Sequence, residues 1–190
     1  MSSRPSLSAV YSPSCRARRF FSLSPQGSAA SASKSTTSGP VGAPPSVDMS
    51  GGVFEEMFGD ELCAKGGEVV KTSTALADKV VAIYFSAHWC PPCRGFTPKL
   101  AEAYKAYKEK GLDLELIFVS SDRDEKSFAE YFGEMPWLAL PYADRDRKSA
   151  LSKAFDVEGI PTLVVLGPVD AATGERAVVN KNARGAVGGD

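Results

Sequence analysis

Apolar residues fall along this chain in two rhythms, and the rhythms alternate. Val80 to Ser86 is a nearly unbroken apolar run, the pattern of a strand covered on both faces. Pro92 to Lys110 has helical spacing and is stopped by Gly111. Leu112 to Ser120 returns to a strand, with Leu114, Leu116 and Phe118 alternating, and Asp124 to Gly133 predicts a second helix with Phe128 and Phe132 one turn apart. A short strand over Leu138 to Tyr142, a short helix over Lys148 to Phe155 and a strand over Ile160 to Leu166 follow, and Gly174 opens a hairpin to Ala177–Asn180. Ahead of these, Val53 to Phe58 predicts a short amphipathic helix, and Glu61 to Val70, broken by Gly66-Gly67, a small hairpin. Strands alternating with helices predict a three-layer α/β fold: a central mixed β-sheet flanked by helices on both faces, with a short N-terminal helix and hairpin as an extension.

Residues 1–47 do not share this rhythm. They contain Arg4, Arg16, Arg18, Arg19 and Lys34 but no Asp or Glu, and they are rich in Ser, Ala, Pro and Gly. Such a segment is expected to be a disordered tail, and its composition is that of an organelle transit peptide. Arg18-Arg19-Phe20-Phe21-Ser22 has the look of a mitochondrial processing site, so a mitochondrial address is expected; a plastid address and a plain tail on a cytoplasmic protein are the alternatives. No apolar segment of about 7–15 residues marks a secretory signal, and none approaches the ~18 residues of a membrane helix. Residues 48–190 are enough for one domain, expected as a monomer, with charges of both signs interspersed. No basic cluster alternates with aromatics, which gives nucleic-acid binding no support.

The chemistry sits where the first long strand meets the first long helix. There the chain reads Ala87-His88-Trp89-Cys90-Pro91-Pro92-Cys93-Arg94-Gly95-Phe96. Two thiols one helical turn apart at a helix start meet unpaired backbone N–H groups and the positive end of the helix dipole, which favour a thiolate. A thiolate with a second thiol beside it can attack a disulfide and then resolve the mixed intermediate. Pro91 and Pro92 occupy the first turn, where a missing N–H is tolerated, though each removes a donor from the Cys90 thiolate. Cys15 falls in the tail and Cys63 in the small hairpin, and His88 is the sole histidine, so no metal site is predicted. Pro98 inside the helix predicts a kink. Pro161 opens a strand, where a trans bond is the ordinary expectation.

Taken together, Trp89-Cys90-Pro91-Pro92-Cys93, Pro98 and Gly159-Ile160-Pro161-Thr162 resemble the thioredoxin superfamily. Tyr84 to Ala87, the block Cys90 to Pro98, and Met135 to Tyr142 make residues 53–190 similar to the tryparedoxin/nucleoredoxin family, and Ser120-Ser121-Asp122-Arg123 tilts the match to the nucleoredoxin branch. The resemblance implies a thioredoxin fold in which the Ile160–Pro161 bond is cis and lies beside the dithiol. Ile160 would offer its backbone to an extended substrate segment. Cys90 would be the exposed attacking thiolate and Cys93 the resolving thiol, one turn deeper. Trp89 would cover the pair, pack as a core aromatic, or both. Where thioredoxin has a buried aspartate six residues before the first cysteine, this chain has Tyr84. A phenol with an ordinary value of about 10 is a poor base. Tyr84 is expected either to donate to a developing thiolate on Cys93 or to pack in the core. His88 is expected at the surface, modulating docking or pH response rather than acting as a base. The family continues past the position of Asp190, so the terminal helix is expected to be short, or the chain a fragment.

The function these readings imply is reduction of protein disulfides by dithiol exchange, with no bound cofactor beyond the redox-active Cys90–Cys93 pair. Electrons are expected from NADPH through a separate reductase or from a low-molecular-weight thiol, because the chain carries no dinucleotide fingerprint. Disulfide proteins such as peroxiredoxins are the expected partners. A redox-dependent protein-binding module with little turnover is the alternative. A disulfide-inserting enzyme of a secretory compartment is disfavoured by the lack of a signal peptide.

Overall fold

The computed structural model describes residues 49–169 and 176–187. The expected tail over residues 1–47 and the turn expected at Gly174 lie outside them. In chain order the elements are α1 (Met49–Phe58), β1 (Glu61–Cys63), β2 (Val69–Lys71), α2 (Thr72–Leu76), β3 (Val80–Ser86), α3 (Pro91–Glu109), β4 (Leu114–Ser120), α4 (Glu125–Phe132), β5 (Leu138–Ala139), α5 (Arg145–Ala154), β6 (Thr162–Val169) and β7 (Arg176–Asn180), followed by a 3-10 turn over Ala183–Ala186.

The strands form one mixed sheet in the order β2-β1-β5-β4-β3-β6-β7. β3 runs parallel to β4, with Tyr84 opposite Phe118, and antiparallel to β6, with Tyr84 opposite Leu163. Successive residues of a strand point to opposite faces, and here both faces are covered. Ala82, Tyr84, Leu116 and Phe118 pack with Leu100 and Tyr104 of α3 and Phe128 and Tyr131 of α4. Val81, Ile83, Phe85, Ile117 and Val119 pack with Phe54 and Phe58 of α1, Leu76 of α2, Leu151 of α5 and Phe155 at its C-terminal cap. Double coverage explains why β3 reads as a continuous apolar run. The expected three-layer architecture, N-terminal helix and small hairpin are all present.

Where the structure departs from the expected boundaries, local chemistry gives the reason. α5 starts at Arg145, ahead of Lys148, because the Asp144 side chain accepts from the Arg147 N–H and caps it. β4 begins at Leu114 rather than Leu112, since Gly111 turns the chain at φ +72° and Leu112 is exposed. α2 was not expected. It is one turn long, too short to show a period, and Thr72 anchors it through a hydroxyl that donates to the Gly59 carbonyl. α3 continues through Pro98 as one 19-residue helix. Among the described residues no helix is long and apolar enough to cross a membrane.

Candidate functional site

β3 and α3 together place the cysteine pair. β3 ends at Ser86, Ala87 accepts from the Cys90 N–H to close a turn, and Cys90 caps α3 with extended backbone angles. Pro91 and Pro92 fill the first helical positions with their rings exposed, so the first backbone donor of α3 belongs to Cys93. Cys90 and Cys93 are joined in a disulfide, with Cα atoms 5.2 Å apart. The Ile160–Pro161 bond is cis, overturning the ordinary trans expectation as the resemblance implied. It sets the Ile160 carbonyl 3.8 Å from Cys90 Sγ, and Ile160 packs on the pair with Ala87. Cys90 is less open than expected. It is 4 % exposed against 0 % for Cys93, because Ile160 leans over it. The order of exposure is nevertheless the expected one.

Behind Cys93 lies a buried cluster of hydroxyls. Thr97, four residues on and on the same face of α3, donates to the Cys93 carbonyl at 3.0 Å. Its oxygen also pairs with the Tyr84 hydroxyl at 2.9 Å and with that of Tyr131. Ser86 donates to the Tyr84 oxygen and pairs with Tyr131, both at 3.1 Å. Tyr84 packs in the core, one of the two places expected of it. It is fully buried, and its hydroxyl reaches the Cys93 carbonyl at 3.4 Å, not the sulfur. Burial pushes that phenol far above its ordinary value, although the Ser86 and Thr97 hydrogen bonds pull against the shift.

In front of Cys90 the surface is built differently. Trp89 is 53 % exposed, so it is no core aromatic. Its indole N–H donates to the Ser121 carbonyl at 3.1 Å, and the Arg123 guanidinium lies 5.8 Å from its ring centre. The His88 backbone N–H donates to the Asp122 carboxylate at 2.7 Å, and its ring stacks on Tyr131 at 5.4 Å. That stack leaves His88 half-buried rather than on the open surface. Asp122 is itself buried and accepts from the Ser120 hydroxyl at 2.8 Å. Arg145 and Tyr142 fasten this loop from below, donating to the Ser120 and Asp122 carbonyls. Sequence reasoning missed the parts played by Ser86, Thr97, Tyr131 and Asp122. The spacing of Thr97 from Cys93 was the one local signal; the others meet the site only through the fold.

No group of three or more His, Cys, Asp or Glu side chains among the described residues is placed to hold a metal ion. The arrangement sets one sulfur at a helix start, under Ile160, and seals the second one turn behind it.

Fold and dithiol placement define the class, a thioredoxin-like domain, and a family model described as Thioredoxin-like matches residues 78–171. Mouse nucleoredoxin is 50% identical over 115 residues, covering 60% of this chain and 26% of its own length. Tryparedoxin of Trypanosoma brucei brucei is 47% identical over 123 residues, covering 65% of this chain and 80% of its own length. Among solved structures, native tryparedoxin I from Crithidia fasciculata superposes with a TM-score of 0.61 at 43% identity, covering 70% of this chain and 88% of that one. The chain belongs to the tryparedoxin/nucleoredoxin family of thiol–disulfide oxidoreductases within the thioredoxin superfamily. It spans about a quarter of the length of the nucleoredoxins it matches.

Proposed function

We propose that this protein reduces protein disulfides through Cys90 and Cys93. The observation that carries the reading is the placement of the disulfide pair at the start of α3. Cys90 caps α3 beside the Ile160 carbonyl, and Cys93 is sealed one turn behind it. In the reduced protein the helix N-terminus favours an anionic Cys90 sulfur. That thiolate attacks one sulfur of a substrate disulfide, and the other substrate sulfur leaves as a thiolate and takes up a proton. Cys93, losing its proton, attacks Cys90 Sγ; the second substrate thiol departs and the Cys90–Cys93 disulfide remains. The substrate has gained two electrons, and the protein regains them from an upstream dithiol reductase fed by NADPH or from a low-molecular-weight thiol.

Ile160 presents its backbone to an extended substrate segment, a short form of strand addition. A groove of about 390 Å³ runs past Ile160 and Pro161 between Glu158 and Arg184, and supports the docking of such a segment there. Trp89, Pro91 and Pro92 form the exposed rim of the pair. Peroxiredoxin-type disulfides are proposed as substrates. The acid-free composition of residues 1–47 supports an organelle address and the run Arg18-Arg19-Phe20-Phe21-Ser22 a mitochondrial one, tested by fusing them to a fluorescent protein and locating it in cells.

Turnover of a model disulfide protein under a thiol-regenerating system tests the reading. Wild type should turn over repeatedly, Cys90→Ser not at all, and Cys93→Ser should stall as a mixed disulfide on Cys90. Tight redox-dependent binding without turnover would replace enzyme by adaptor.

A further inference from the structure

The segment Ser121-Asp122-Arg123-Asp124 lies beside the dithiol, with an arginine between two aspartates. Such a sequence suggests a neutralised cation, but the structure spends both acids elsewhere. Asp122 turns inward, accepting from the His88 N–H and the Ser120 hydroxyl. Asp124 turns to α4 as its cap, accepting from the Ser127 N–H at 2.8 Å and the Ser127 hydroxyl at 2.9 Å. Those bonds hold the Asp124 carboxyl below the usual carboxylate range. Arg123 is left exposed against the ring of Trp89, the residue before Cys90. Arg94, directly after Cys93, is also exposed. Among the described residues neither arginine has a carboxylate partner.

We propose that Arg123, held on Trp89, reads a carboxylate next to the attacked cysteine, so that the preferred substrates are protein disulfides flanked on that side by Asp or Glu. The inference rests on the reading of Cys90 as the attacking thiol. Three features support it. The ring beneath the cation is tied to the Ser121 carbonyl, so the guanidinium rests on a positioned face and less side-chain freedom is lost on pairing. Trp89 precedes Cys90 directly, which puts the charge beside any segment docked on that sulfur. Neither Asp122 nor Asp124 competes for the Arg123 guanidinium, since their oxygens accept from His88, Ser120 and Ser127. An exposed pair of this kind sets specificity and encounter rate more than raw affinity.

The test uses two disulfide-linked peptides identical except for Glu or Gln beside the attacked cysteine. The quantity read is the ratio of their kcat/KM values within each protein, in which any general loss of activity cancels. Wild type should favour the Glu peptide by about twofold to fivefold at low salt, and the ratio should approach one at about 1 M salt as screening removes it. Arg123→Gln should bring the ratio to about one, and Arg123→Glu should invert it. Arg94→Gln removes the same charge without touching Trp89 and should keep the wild-type ratio. A wild-type ratio of one, or a ratio lost in Arg94→Gln and kept in Arg123→Gln, overturns the inference while leaving disulfide reduction intact. Failure to reduce either peptide overturns the role of Cys90, and this inference with it.

Discussion

Behind Cys93, the hydroxyls of Tyr84, Ser86, Thr97 and Tyr131 are buried and bonded to one another and to the Cys93 carbonyl. In front of Cys90, Trp89 and Arg123 are exposed, Trp89 held by one hydrogen bond and the two joined by one cation–π contact. Each hydroxyl in the first region is desolvated, so losing one strands the others at a cost far above the worth of the bond itself. Contacts in the second region compete with water and contribute little to folding. Damage behind Cys93 should therefore appear as instability, and damage in front of Cys90 as altered recognition. Tyr131 joins the two, since it bonds Ser86 and Thr97 on one side and stacks on His88 on the other.

The largest expected contrast is between the two sulfurs. In the reduced protein at neutral pH, Cys90 should alkylate at least about tenfold faster than Cys93, since it combines the helix start with the greater access. Peptide mass spectrometry of a quenched time course measures both rates. Equal rates would erase the division between front and back.

Much of this was legible in the sequence, and the parts that were not share a cause. The run Val80–Ser86, the helical spacing after Pro92 and the cysteine pair between them are local patterns, and they located β3, α3 and the dithiol. The cis bond at Pro161 was legible only through the resemblance, because no spacing rule distinguishes it from an ordinary strand-opening proline. Tyr84 could be placed on a strand, but its hydroxyl partner depended on Thr97 and on Tyr131, 34 residues beyond Thr97 on another helix. Asp122 and Arg123 entered only as part of the block Ser120–Arg123 that carries the resemblance, and only the turns of their side chains separate the engaged acid from the presented cation.

Thr97→Val should give the next largest effect. It keeps the shape of the side chain but removes an oxygen that serves the Cys93 carbonyl and two phenols. The expected cost is about 2–3 kcal/mol, read as a lower urea midpoint with an unchanged slope. Thr97→Ser should restore most of it by restoring the hydroxyl. Equal destabilisation by both variants would show that the methyl group, not the network, supports this side of the site.

Trp89→Ala should do the opposite. Losing one exposed hydrogen bond and one exposed cation–π contact should cost less than about 1 kcal/mol of stability. The KM for a protein disulfide should rise severalfold, because the rim next to Cys90 is gone. Steady-state kinetics beside a urea titration gives both numbers. A large loss of stability with an unchanged KM would place Trp89 with the core after all.

The smallest expected effect is a pH dependence that belongs to the buried side alone. Burial is the leading cause that pushes the phenols of Tyr84 and Tyr104 well above the ordinary 10.0, with the neighbouring Glu115 adding to the rise for Tyr104. The folded protein then keeps these protons at a pH where the unfolded chain releases them. The stability they confer is complete below the unfolded value of about 10 and declines as the pH climbs above it. On the oxidised protein, where Cys90 and Cys93 do not titrate, the urea midpoint should be flat on this account up to about pH 9 and fall above about pH 10. Tyr84→Phe starts lower because it breaks the hydroxyl cluster, yet its midpoint should fall less steeply with alkali, since one of the retained protons has been removed. Trp89→Ala should keep the wild-type slope. If Tyr84→Phe fell as steeply as wild type, the retained proton would have to lie elsewhere, and the buried phenol would lose its place as the feature that separates the two sides of the dithiol.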